Sequence, residues 1–67
     1  MINIKINGKH WEVHAQSKVA DLLARLKIAP KVCVVEKNGK LLNREEYNKI
    51  GFLPSDEIEI IRMMGGG

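Results

Sequence analysis

Four scarcities narrow the possibilities before any pattern is read. The chain has one cysteine, Cys33, so an internal disulfide is impossible. It has neither a Cys-x-x-Cys pair nor clustered metal-ligand residues, so no redox motif and no metal site is expected. It has three aromatic residues, Trp11, Tyr47 and Phe52, well separated and not interleaved with clustered Lys or Arg, which leaves nothing to stack successive bases. It also lacks long apolar runs: none approaches a membrane span, and residues 1–6 alternate apolar and polar instead of forming the apolar block of a signal peptide. The expectation is a cytoplasmic protein with no nucleic-acid and no membrane partner.

What is present fits a small folded domain. The 67 residues are 45% hydrophobic and 28% charged, the balance of a globular chain and not of a disordered one. A chain near 60 residues buries only about 60% of its unfolded surface, so one thin core is expected and a deep catalytic cleft is not. The net charge of +3 is uneven: residues 1–31 carry six cations and two acids, residues 32–67 five and six. The C-terminal half is therefore not a polyanion-binding surface.

The most informative stretch is Met63-Met64-Gly65-Gly66-Gly67. With glycine at about 7% of average usage, three in succession at one given place is expected about three times in ten thousand. Without Cβ atoms such a run makes a slim, unhindered arm ending in a carboxylate. A carboxylate resists nucleophiles until it is activated, for example as an acyl-phosphate anhydride, after which the glycyl carbonyl is open to attack. The competing reading is a frayed or appended chain end.

Along the chain, Ile2, Ile4 and Ile6 alternate with polar residues as a half-buried strand. Asn7-Gly8 then suits a two-residue hairpin, with a return strand over 9–14. That strand puts Trp11 and Val13 on one face and His10 and His14 on the other, where the histidines read as solvated. Ser17 reads as the N-cap of a helix over 18–27, whose Val19, Leu22, Leu23 and Leu26 form one apolar stripe; Pro30 ends the segment. Residues 32–37 read as a strand covered on both faces, with the inward set ambiguous and Cys33 as a packed thiol. Asn38-Gly39 repeats the hairpin signal into a short edge strand, 40–43. Tyr47, Ile50, Phe52 and Leu53 read as a helical turn and loop over the open end of the core, and a last strand, 57–63, follows the Pro54-Ser55-Asp56 turn. If Ile58 and Ile60 face the core, Ile61 and Met63 lie on the opposite face.

This order predicts an α+β fold, a mixed sheet of four to five strands wrapped on one helix, with residues 1–62 as the domain and 63–67 as a flexible tail. Asn7-Gly8, Val19-x-x-Leu22-Leu23, Val35-Glu36-x-Asn38-Gly39, Asp56-x-Ile58-Glu59-Ile60 and the closing Gly65-Gly66-Gly67 together resemble the ThiS/MoaD family of sulfur carriers, and within it the thiamine branch. The resemblance spans the whole chain, with departures at Asn43-Arg44 and Ser55-Asp56, where family members often have Pro-Arg and Gly-Asp.

It implies a ubiquitin-like β-grasp whose first and last strands pair in parallel at the sheet centre. It further implies a carrier that does no catalysis and binds no cofactor. An E1-like (ThiF-like) adenylating enzyme would use ATP on the Gly67 carboxylate, a sulfur donor protein would convert it to a thiocarboxylate, and a ThiG-like thiazole synthase would receive the sulfur. Gly65 and Gly66 form the arm in this scheme, and Ile61, Met63 and Met64 the partner-binding face. The alternatives are a molybdopterin-synthase small subunit, another sulfur carrier of this fold, a protein modifier joined through Gly67, and a plain interaction domain.

Overall fold

A computed structural model describes residues 1–63. Strands β1 (Ile2–Ile6) and β2 (Lys9–Val13) form an antiparallel hairpin in register Ile2↔Val13 to Ile6↔Lys9. Its turn residues Asn7 and Gly8 have φ of +50° and +82°, the paired positive values that a type I′ turn requires. Helix α1 (Val19–Arg25) follows, then β3 (Cys33–Lys37) and β4 (Lys40–Leu41), joined by Asn38 and Gly39 at +53° and +84°. The last strand, β5 (Glu57–Arg62), inserts between β1 and β3, giving the order β2-β1-β5-β3-β4. It runs parallel to β1 and antiparallel to β3. This is the β-grasp arrangement: a five-stranded mixed sheet with its one helix covering one face.

The core is the product of two periodicities. Alternate strand positions supply Ile4, Ile6, Val13, Cys33, Val35, Ile58 and Ile60, and the helix stripe supplies Val19, Leu22 and Leu23, all buried. Seven residues are too few for a helix to persist alone in water, so α1 depends on this packing and on its ends. At its start, the Val19 and Ala20 N–H groups donate to the carbonyls of Ile50 (2.9 Å) and Tyr47 (2.8 Å). Loop 47–50 thereby satisfies donors that the first helical turn leaves without intrahelical partners.

The helix is shorter at both ends than its stripe suggests. Ser17 is not the N-cap: its hydroxyl donates to the His14 carbonyl at 2.6 Å, and Lys18 takes the cap position, its N–H donating to Asp21 Oδ2 at 2.8 Å. Nor does Pro30 stop the helix. Lys27 N–H donates to the Ala24 carbonyl (3.1 Å) and Ile28 N–H to the Leu23 carbonyl (2.9 Å), the paired bonds of a Schellman motif. Lys27 occupies its left-handed position at φ +60°, and Pro30 instead opens a 3-10 turn, Pro30–Val32.

Two further expectations need correction. The valine run is not covered on both faces: Cys33 and Val35 are buried, whereas Val34 is half-buried and Val32 exposed, because α1 packs on one side only. In the segment after β4, a 3-10 turn (Arg44–Glu46) leads Tyr47 and Phe52 into the core, but Leu53 is 66% exposed. Leu53 instead uses its backbone N–H, which donates to Asp56 Oδ2.

Lys27 and Ser55 (φ +72°) are the residues other than glycine and asparagine that the described backbone holds in the left-handed region, where a side chain costs about 1 kcal/mol. Lys27→Gly is expected to raise stability by about 0.5–1 kcal/mol, the gain being trimmed by the freer unfolded chain. A higher urea midpoint at unchanged slope would show it.

Candidate functional site

β5 delivers the C-terminus, and it is held from both sides. Its pairing with β1 covers Lys5↔Glu57 and Ile6↔Ile58, with Asn7 N–H donating to the Ile58 carbonyl at 2.8 Å. The backbone of β1 then turns away at Gly8. The Asn7 side chain continues the ladder: its Oδ1 accepts from Ile60 N–H (2.8 Å) and its Nδ2 donates to the Ile60 carbonyl (3.2 Å). A primary amide presents one donor and one acceptor, as a peptide unit does, so it stands in for the next residue of a strand.

The second hairpin holds the start of β5 in the same way. Asn38 Oδ1 accepts from Glu57 N–H (2.9 Å), Asn38 N–H donates to the Glu57 carbonyl (2.7 Å), and Asn38 Nδ2 donates to Asp56 Oδ1 (3.0 Å). Asp56 is buried, and its Oδ2 accepts from Leu53 N–H at 2.8 Å and lies 3.5 Å from Lys37 Nζ. Burial alone would push this carboxyl up. The Leu53 and Asn38 hydrogen bonds and the Lys37 ammonium outweigh it and hold the group below its ordinary value.

Past Ile60 the strand runs beyond β1 and is paired by β3, in register Ile61↔Val34 and Arg62↔Cys33; Met63 N–H donates to the Val32 carbonyl at 2.7 Å. Ile61 and Met63 are about half exposed, at 48% and 51%. With Val32 and Val34 they make an apolar patch on the face of the sheet away from α1. Met64, Gly65, Gly66 and Gly67 lie outside the described residues.

Among the other candidates, His10 and His14 are exposed, and no three potential metal ligands gather among the described residues. Cys33 is buried with its Sγ 3.7 Å from the Pro30 carbonyl. Burial pushes its thiol up, and the guanidiniums of Arg44 and Arg62 pull it only part of the way back, an environment that favours the thiol over the thiolate. Sequence reasoning assigned Asn7 and Asn38 to their turns alone, and Asp56 likewise. The signal it passed over is that both left-handed positions hold asparagine, whose side chain can bond as a backbone does.

The ThiS family model matches residues 3–67. The chain belongs to the ThiS family. It is 32% identical over 66 residues to the Bacillus subtilis sulfur carrier protein ThiS, covering 96% of this chain and 98% of that one. A crystal structure of the thiamine biosynthesis protein ThiS from Geobacter metallireducens superposes with a TM-score of 0.82 at 35% identity, over 98% of this chain and 100% of that one. A designed protein templated on human ubiquitin matches at a TM-score of 0.53 and 22% identity, which shows the fold alone. Full-length coverage means that this ThiS-family chain has the relatives' entire fold, including the strand that leads into the glycines.

In this ThiS-family chain Asp56 ties β5 to β3, and its charge has a pH signature. Because the folded pKa lies below the unfolded one, the contribution is complete above the ordinary carboxyl value near 4 and is lost as pH falls through the depressed folded value. Asp56→Asn leaves one acceptor where Asn38 and Leu53 each need one. It is expected to cost roughly 1–3 kcal/mol at pH 7 and to flatten the acid limb of stability, measured by urea unfolding between pH 7 and pH 3.

Proposed function

We propose that this chain is the sulfur carrier of thiazole formation in thiamine biosynthesis, acting in the cytoplasm as a co-substrate and not as an enzyme. The observation that carries the proposal is the full-length ThiS-family match on a fold whose central strand, fixed on both sides, leads at Met63 into Met64-Gly65-Gly66-Gly67.

The chemistry divides between carrier and partners. The Gly67 carboxylate attacks the α-phosphate of ATP in a ThiF-like adenylating enzyme, expelling pyrophosphate and forming an acyl adenylate. Sulfur at the sulfide level, supplied as HS⁻ by a donor protein, then attacks the glycyl carbonyl and expels AMP, leaving a thiocarboxylate. A thiocarboxylate sulfur is a far better nucleophile than a carboxylate oxygen, so it can be passed to the acceptor in a ThiG-like thiazole synthase without release of free sulfide. The carrier binds no cofactor; ATP belongs to the partner. Its own part is to present the acyl group on an arm without Cβ atoms, which fits a slot too narrow for ordinary side chains. Ile61, Met63 and Met64 dock the base of the arm.

Purified carrier incubated with the adenylating enzyme, ATP and sulfur donor is expected to gain the mass of one oxygen-to-sulfur exchange, and to lose it on adding thiazole synthase with its substrates. Deleting Gly66 and Gly67 abolishes the exchange while leaving unfolding unchanged. Sulfur delivery to molybdopterin synthase instead, or conjugates to lysine that survive reducing denaturing gels, would overturn the assignment.

A further inference from the structure

The tail-proximal patch has a charged neighbour that the fold does not explain. Glu36 and Glu59 are direct cross-strand partners in the β3/β5 ladder, two register positions from the Val34↔Ile61 pair and therefore on the same outer face. Carboxylates facing each other across an antiparallel pair repel, and such pairs are destabilising. The remaining register neighbour of Glu36 is Leu41. Among the described residues the one ion pair joins Lys37 to Asp56, so neither glutamate has a cation within 4.0 Å there. The two carboxylates thus face each other across the ladder without a paired cation among the described residues, in a chain whose net charge is +3.

We propose that Val34, Ile61 and Met63 together with the Glu36–Glu59 pair form one docking surface, and that its occupant is an adenylating enzyme presenting an apolar group flanked by an arginine or lysine that sits between the two carboxylates. This rests on the sulfur-carrier reading above. The assignment follows from complementarity: an apolar patch alone would accept many partners, whereas two like charges at its edge reject acidic ones and gain most from a cation. A guanidinium, planar and with several donors, can serve both carboxylates at once. The same surface continues along β5 to Met63, so a partner seated on it stands beside the start of the tail.

The test uses Glu36→Gln, Glu59→Gln and the double variant, which keep side-chain size and remove charge, with Glu12→Gln on the edge strand β2 as a control for net charge. Steady-state adenylation is followed as pyrophosphate release at several salt concentrations. Each variant is expected to melt roughly 1–5 °C higher than the wild type, because repulsion is removed. The double variant is expected to raise KM for the carrier about three- to tenfold with kcat little changed, and to flatten the dependence of kcat/KM on salt. Glu12→Gln should do neither.

Unchanged KM and salt dependence in the double variant, with the wild type turning over normally, would overturn the docking proposal and leave the functional reading standing. Equal effects from Glu12→Gln would overturn it too, by reducing it to a matter of net charge. A wild-type carrier that no adenylating enzyme turns over would overturn both.

Discussion

Bonding of the last strand on both sides is the constraint from which the rest of the molecule follows. β5 is complete only when the chain is nearly at its end, yet it lies at the centre of the sheet, between the first strand and the third. Its ladder with β1 spans only two Cα pairs before the hairpin turns away. The Asn7 amide supplies the missing rung, and at the other end Asn38 and Asp56 close the step between β5 and the second hairpin. Each turn thus has two duties: it reverses a strand through positive φ, and its asparagine holds a segment far away in sequence. Once β5 is seated, Ile58 and Ile60 close the core beneath α1, and loop 47–50 meets the helix start.

Much of this was legible in the sequence because it is local. Ile2, Ile4 and Ile6 declare a half-buried strand by alternation, the two Asn-Gly pairs declare hairpins, and the spacing of Val19, Leu22 and Leu23 declares a helix face. What was not legible depends on partners distant along the chain. Nothing near Asn7 announces that its amide meets Ile60, and the Asp56 carboxylate finds Lys37 and Asn38 nearly twenty residues earlier in the chain. The helix stop was missed for a different reason: Lys27 occupies a left-handed position where glycine is the usual signal, so the Schellman motif had no marker. The valine run misled because an apolar string looks the same whether its second face is packed or waits for a partner.

That second face links fold to function. With one helix, the sheet has one covered side, and whatever apolar surface lies on the other is available to another molecule. Ile61 and Met63 lie there, exposed on the strand that precedes the glycines in sequence. The single thiol, Cys33, is buried in the core on the other side of the sheet from this surface.

The placement of β5 also fixes how the molecule bears load. Hydrogen bonds in an antiparallel ladder lie across the strands, and those of a parallel ladder are slanted but evenly spaced. Tension applied to the C-terminus therefore acts along β5 and shears both flanking ladders together, instead of opening them one rung at a time. A partner that draws the last residues deep into a narrow channel can pull on them without unzipping the sheet.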